Sequence, residues 1–143
     1  MSTTPNILGY DVTGASSGGQ GAYCMSLAIS PVNADEVYAG GINLWKSPDG
    51  GVSWNVLSDW VGTNAPYVHA DQQDLKFLSG NGSVLYACND GGINISSDAG
   101  ATWTDLSNGL EVMEFYKLSS AATDEDVIVA GSQDNGTNLS NSS

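Results

Sequence analysis

The chain has 143 residues, 16 of them Asp or Glu and 3 Lys with no Arg, for a net charge of −13. So acidic a surface repels phosphate backbones and anionic lipid, which excludes nucleic acid and membrane docking as partners. Four Trp, six Tyr and 41% hydrophobic residues are enough for a core, so the composition is that of a folded chain.

Residues 1–9 are polar and lack the charged and apolar stretches of a signal peptide. Either a leader is missing or the chain is cut from a longer protein. No apolar run approaches the ~18 residues of a membrane-spanning helix. Cys24 and Cys88 are two cysteines without metal-site spacing; buried free thiols are the expectation, with a single disulfide as the alternative.

The first unit, about residues 23–60, holds Val37-Tyr38-Ala39-Gly40-Gly41-Ile42-Asn43-Leu44 and then the octad Ser47-Pro48-Asp49-Gly50-Gly51-Val52-Ser53-Trp54. The second, about residues 66–108, repeats the plan. Leu85-Tyr86-Ala87-Cys88-Asn89-Asp90-Gly91-Gly92 leads to Ser96-Ser97-Asp98-Ala99-Gly100-Ala101-Thr102-Trp103, so Ser, Asp, Gly and Trp recur at an offset of 49. The third, about residues 112–143, runs through Phe115 and the stretch Val127 to Gly136 and stops where its own octad would fall. A period of 40 to 50 residues made of short apolar runs and Gly/Asn/Asp turns predicts four-stranded antiparallel blades. In the second unit the strands are expected at residues 74–78, 84–89, 92–96 and 102–106.

Each octad reads as a hairpin clasp. The aspartate (Asp49 or Asp98) accepts backbone N–H groups of its own turn, and the glycine (Gly51 or Gly100) takes a conformation that a side chain forbids. The tryptophan (Trp54 or Trp103) covers the turn, and the serine (Ser47 or Ser96) closes it with a hydroxyl hydrogen bond.

Ser-x-Asp-x-Gly-x-Thr-Trp resembles the Asp-box, or BNR repeat, of sialidases, sortilin-type receptors, xyloglucan-cleaving glycoside hydrolases and secreted bacterial proteins. Over residues 66–139, Val68-His69-Ala70-Asp71-Gln72-Gln73-Asp74-Leu75, Asn108-Gly109-Leu110 and Gly131-Ser132-Gln133-Asp134-Asn135-Gly136 resemble secreted BNR-repeat proteins of gliding-type bacteria, described as glycosyl-hydrolase-like. The resemblance implies an all-β chain of about three β-propeller blades, a single partial propeller over residues 1–143, completed by further blades or by self-association. It implies a secreted or cell-surface location. Gln73 stands where that group commonly has a second His, and the first unit lacks the Asp that xyloglucanases carry after their Tyr-Ala.

In a propeller, loops entering the innermost strand and loops between the second and third strands share one face. His69, Asp71, Gln72 and Asp74 are therefore expected near Asp90 and Asp134, with Trp60 and Tyr67 as aromatic platforms. Asp90 and Asp71 are the catalytic candidates, and calcium at Asp71 and Asp74 is the one cofactor the pattern admits. The expected function is a non-catalytic extracellular module binding a glycan or protein; the alternative is a fragment of a glycoside hydrolase acting on β-glucan or xyloglucan. Hydrolysis would need two carboxylates about 5 to 9.5 Å apart across the bond.

Overall fold

A computed structural model describes residues 5–110, 115–123, 127–132 and 136–140. Its strands form three antiparallel meanders. The first sheet is β1 (Ser26–Ile29), β2 (Val37–Gly40), β3 (Leu44–Ser47) and β4 (Asn55–Val56). The second is β5 (Gln72–Phe77), β6 (Leu85–Asn89), β7 (Gly92–Ser96) and β8 (Thr104–Asp105). The third is β9 (Phe115–Ser120), β10 (Ile128–Ser132) and β11 (Thr137–Ser140), in the order β11-β10-β9. Strands paired strictly with their sequence neighbours are the plan of a propeller blade, and the chain is all-β, built of such blades.

The core lies between the first two blades. Tyr38, Leu44, Val68, Leu75, Leu85 and Ala87 are buried together, with Phe77 and Trp103 packed on them. Tyr38 meets Phe77 edge to face, with ring centroids 5.0 Å apart, a geometry worth about 0.5–1.5 kcal/mol beyond the area buried. The Tyr38 hydroxyl donates to the Ala99 carbonyl of the second octad, 3.2 Å away. Lys46 sits 5.1 Å over the Tyr38 ring and 3.2 Å from Glu36.

The two octads are the same clasp. Ser47 Oγ donates to Asp49 Oδ1 (2.8 Å) and accepts the Gly51 N–H (2.7 Å); Ser96 Oγ donates to Asp98 Oδ1 (2.8 Å) and accepts the Gly100 N–H (2.8 Å). Asp49 accepts the Ser53 N–H and hydroxyl at 2.8 and 2.6 Å, and Asp98 accepts those of Thr102 at the same distances. The φ values of Gly51 (95°) and Gly100 (92°) agree as closely. Both serines are buried. In a meander the β3–β4 and β7–β8 turns fall at one end of the sheets. The β2–β3 and β6–β7 turns and the β4–β5 connection therefore fall at the other.

The second blade departs from expectation at its strand ends: β5 begins at Gln72 and ends at Phe77, where residues 74–78 were expected, and β6 begins at Leu85, one residue later than expected. The fourth strand of the second blade is Thr104–Asp105, shorter than residues 102–106, because Thr102 and Trp103 are taken up by the clasp. The third sheet has three strands among the described residues. Strand β5 packs against β1 and β2, and among the described strands no comparable packing joins the third sheet to the first two. Both cysteines are free thiols, Cys24 buried and Cys88 partly so.

Candidate binding cleft

The end opposite the clasps is shaped by the connection between β4 and β5. Asp59 knots it. The Asp59 carboxylate accepts the N–H groups of Val61 (2.9 Å), Thr63 (3.2 Å) and Asn64 (3.0 Å), the Thr63 hydroxyl and the Asn64 amide. Burial alone would raise the acid's pKa, but the N–H donors of Val61 and Asn64 overrule it and hold Asp59 at about 2. The Asp59 N–H in turn donates to the Pro66 carbonyl at 3.0 Å, which closes the loop and sets Trp60 and Tyr67 at its two ends.

The segment before β1 supplies the facing wall. The Trp60 indole N–H and Asn43 Nδ2 both donate to the Tyr10 carbonyl, at 3.3 and 3.5 Å, and Asn43 Oδ1 accepts the Trp60 N–H at 3.0 Å. Between these walls lies a cleft of about 480 Å³, lined by Tyr10, Gln20, Ile42, Trp60, Tyr67, His69, Ala70 and Asp71. Tyr10, Trp60 and Tyr67 are 50%, 46% and 58% exposed, so their rings are left open to whatever fills the cleft.

Asp71 is 4% exposed and holds φ +65°, a left-handed conformation that Asp tolerates better than most residues. The Cys24 thiol donates to Asp71 Oδ1 at 3.4 Å. Burial first, then this hydrogen bond and the charges of Asp71 and Asp90, push the Cys24 thiol up to about 12, so it is neutral and a poor nucleophile. One residue on, the Gln72 N–H donates to the Gly41 carbonyl at 2.8 Å and its side-chain amide to the His69 carbonyl at 2.5 Å. These bonds stitch the start of β5 to the first blade. His69 Nδ1 lies 3.2 Å from the Ala70 carbonyl. The β6–β7 turn backs the ring: a Cβ on Gly91 would lie 2.4 Å from His69 Cγ.

A bulge follows, where the β5–β6 register shifts between Gln72 and Asp74. Bulges re-aim side chains beside functional sites. Here Gln73 turns toward Asp90 and donates to its Oδ1 at 2.9 Å, while the Tyr23 hydroxyl donates to Oδ2 at 2.9 Å. A second cleft of about 380 Å³ shares Tyr67 and His69 with the first and continues to Asn94, Trp103, Asp105 and Ser107. The Trp103 indole N–H is buried there without a hydrogen-bond partner. The Ser107 hydroxyl and N–H hold Asp105 below the ordinary carboxylate range.

Of the residues singled out in the sequence, Trp60, Tyr67, His69 and Asp71 share one cleft. Gln72 is buried at the blade junction, Asp74 is exposed past the bulge, and Asp90 stands outside both linings. Asp134 lies outside the described residues. Among the described residues no group of three or more His, Cys, Asp or Glu side chains is gathered as a bound metal would require, and no helix is long and apolar enough to cross a membrane. Tyr10, Gln20 and Ile42 were not foreseen. Tyr10 and Gln20 reach the cleft by docking of the segment before β1, and Ile42 reaches it from the β2–β3 turn; no local pattern marks them.

No protein-family model matches the chain, and no curated protein does. Among solved structures it is similar to an ancestral GH74 enzyme (18% identity, 75% of this chain and 16% of that one, TM-score 0.49). It is also similar to the GH74 enzyme of Niastella koreensis (21%, 80% and 19%, TM-score 0.45) and to YCF48 bound to D1 peptide (22%, 76% and 33%, TM-score 0.44). The chain thus spans a third or less of each of these structures. Its own sheets, rather than these partial likenesses, define the fold.

Proposed function

We propose that this chain is a non-catalytic binding module and that its ligand, a glycan, lies in the cleft between Tyr10, Trp60 and Tyr67. The observation that carries the reading is the exposure of those three rings around a concave site that also offers His69 and Asp71. Sugar rings present apolar C–H faces to aromatic side chains and hydroxyls to a few fixed polar groups, the mixture that small-molecule sites are built from.

The placement of Asp90 and Asp105 supports binding over hydrolysis. Cleavage of a glycoside needs an acid that is protonated at working pH and a second carboxylate across the bond. Asp90 accepts a hydrogen bond on each oxygen and lines neither cleft. Asp105, in the second cleft, is held ionised by Ser107.

The matched clasps support placing the chain among Asp-box repeat proteins, and a glycan ligand supports a secreted or surface-displayed one. Strand β1 leaves Leu27 and Ile29 exposed in its alternating register, with Met25 exposed just before it, the pattern of a sheet face made for another blade. A further blade, from a longer parent or a second copy, belongs there. Light scattering showing a stable, folded monomer of these 143 residues would contradict that part of the reading.

Titration calorimetry with cellohexaose and xyloglucan oligosaccharides tests the function. Binding that weakens about tenfold or more in Trp60→Ala and Tyr67→Ala is expected, in line with about 1.4 kcal/mol per lost platform. Release of reducing sugar by the wild-type chain, abolished in Asp90→Asn, would replace binding with hydrolysis.

A further inference from the structure

We propose that the two clefts are one groove, which binds a glycan as an extended chain and seats its far sugars on the second blade; this rests on the glycan-binding reading above.

The clefts meet on the connection between the blades. Tyr67 and His69 line both, and they stand just before β5, where the chain crosses from the first blade to the second. The first cleft reaches the first blade's β2–β3 turn at Ile42, and the second reaches the second blade's β6–β7 turn at Gly91. Those two turns fall at the same end of the sheets, so the clefts lie side by side there. Tyr67, at their boundary, is 58% exposed, so the boundary is itself a surface on which a sugar can stack.

The two halves differ in chemistry. The first is aromatic, with Tyr10, Trp60 and Tyr67. The second adds polar groups. Asp105 is exposed, and Ser107 keeps its carboxylate ionised. The Ser107 N–H occupies Asp105 Oδ1 at 2.7 Å, and a carboxylate has about four acceptor sites. Asn94 Oδ1 is taken by Asn89 Nδ2 at 3.0 Å, so what Asn94 can offer the cleft is its amide N–H donors. An acceptor beside a donor suits sugar hydroxyls, which donate and accept. Volumes of about 480 and 380 Å³ each fall in the lower half of the range for small-molecule sites, roughly 300–1,000 Å³. A disaccharide stacked on the rings of the first cleft leaves the second unused, whereas a longer chain crossing Tyr67 uses both.

The test is a length series on the whole chain: titration calorimetry with cellobiose, cellotetraose and cellohexaose, with the indole N–H signals of Trp60 and Trp103 followed alongside. Affinity is expected to rise about tenfold or more from dimer to hexamer, beyond the statistical gain of a repeating ligand. Trp103, which lines the second cleft, should shift with the hexamer and not with the dimer. Asp105→Ala should remove most of the gain with length and leave cellobiose affinity as it is, while Trp60→Ala should weaken both ligands. Asp105 is exposed on the two-residue strand β8, so the fold survives its loss. An affinity already at its limit with cellobiose would overturn the proposal and leave the binding reading standing. So would a gain with length that Asp105→Ala leaves intact or lowers only in step with cellobiose, or a Trp103 signal that the hexamer does not move. Failure of all three glycans to bind would overturn both.

Discussion

Ser47 and Ser96 sit at the centre of their clasps, each buried and each bonded to an Asp and to a glycine N–H. Removing either hydroxyl leaves that N–H without its partner, which costs about 1–3 kcal/mol. Ser47→Ala and Ser96→Ala are therefore expected to lower stability by that amount in urea unfolding. The acids act through pH. The Thr102 hydroxyl and N–H, with Ser96, bring Asp98 to about 2, and the loop N–H groups bring Asp59 to about 2, from an ordinary 3.8. A carboxylate lowered by folding stabilises the native state above its unfolded pKa, and that contribution is lost as pH falls through the folded value. The melting temperature should hold down to about pH 4 and then fall toward pH 2. Asp59→Asn should flatten that fall, and an unchanged acid slope in the variant would remove the knot from the account.

The paired turns allow a controlled comparison between elements. Gly51 and Gly100 have nearly the same positive φ, so alanine costs both about 1–2 kcal/mol in backbone strain. They differ in surroundings: a Cβ on Gly51 would meet only Trp54 at 3.7 Å, whereas one on Gly100 would lie 2.7 Å from Leu57 of the first blade. Gly100→Ala is expected to be the more destabilising of the two by chemical denaturation, because its turn is also a blade contact. Gly91→Ala acts on the cleft. Its Cβ drives into the His69 ring and Cβ, so ligand affinity and melting temperature should both fall.

The same elements show what was legible. The octads were, because Ser, Asp, Gly and Trp each answer a need of a single turn and no tertiary partner is required. Most of β5 to β7 was legible from alternation and Gly/Asn turns. The grouping of Trp60, Tyr67, His69 and Asp71 in one cleft was legible because one connection carries all four. Tyr10 and Gln20 were not, since only docking of the N-terminal segment on the Gly41–Asn43 turn brings them in. The bulge at Gln73 was equally silent, because it shows only in pairing with β6.

At the scale of the molecule, the first two blades share one core, and among the described strands none of the third sheet packs against them as β5 does against β1 and β2. Leu85 is fully buried in that core, and Leu85→Ala is expected to cost about 2–5 kcal/mol, loosening both blades together. Amides of β2, β3, β6 and β7 should exchange slowly and as one unit, and those of β10 should exchange faster. The cleft belongs to the shared unit, since its walls come from the N-terminal segment, the β2–β3 turn and the β4–β5 connection. The most direct test of the account is the indole N–H spectrum of the four tryptophans during titration with cellohexaose. Trp60 should shift in a saturable way while Trp54, in the opposite clasp, stays in place. A Trp60 signal that never moves, or one that moves no more than Trp54, would contradict it.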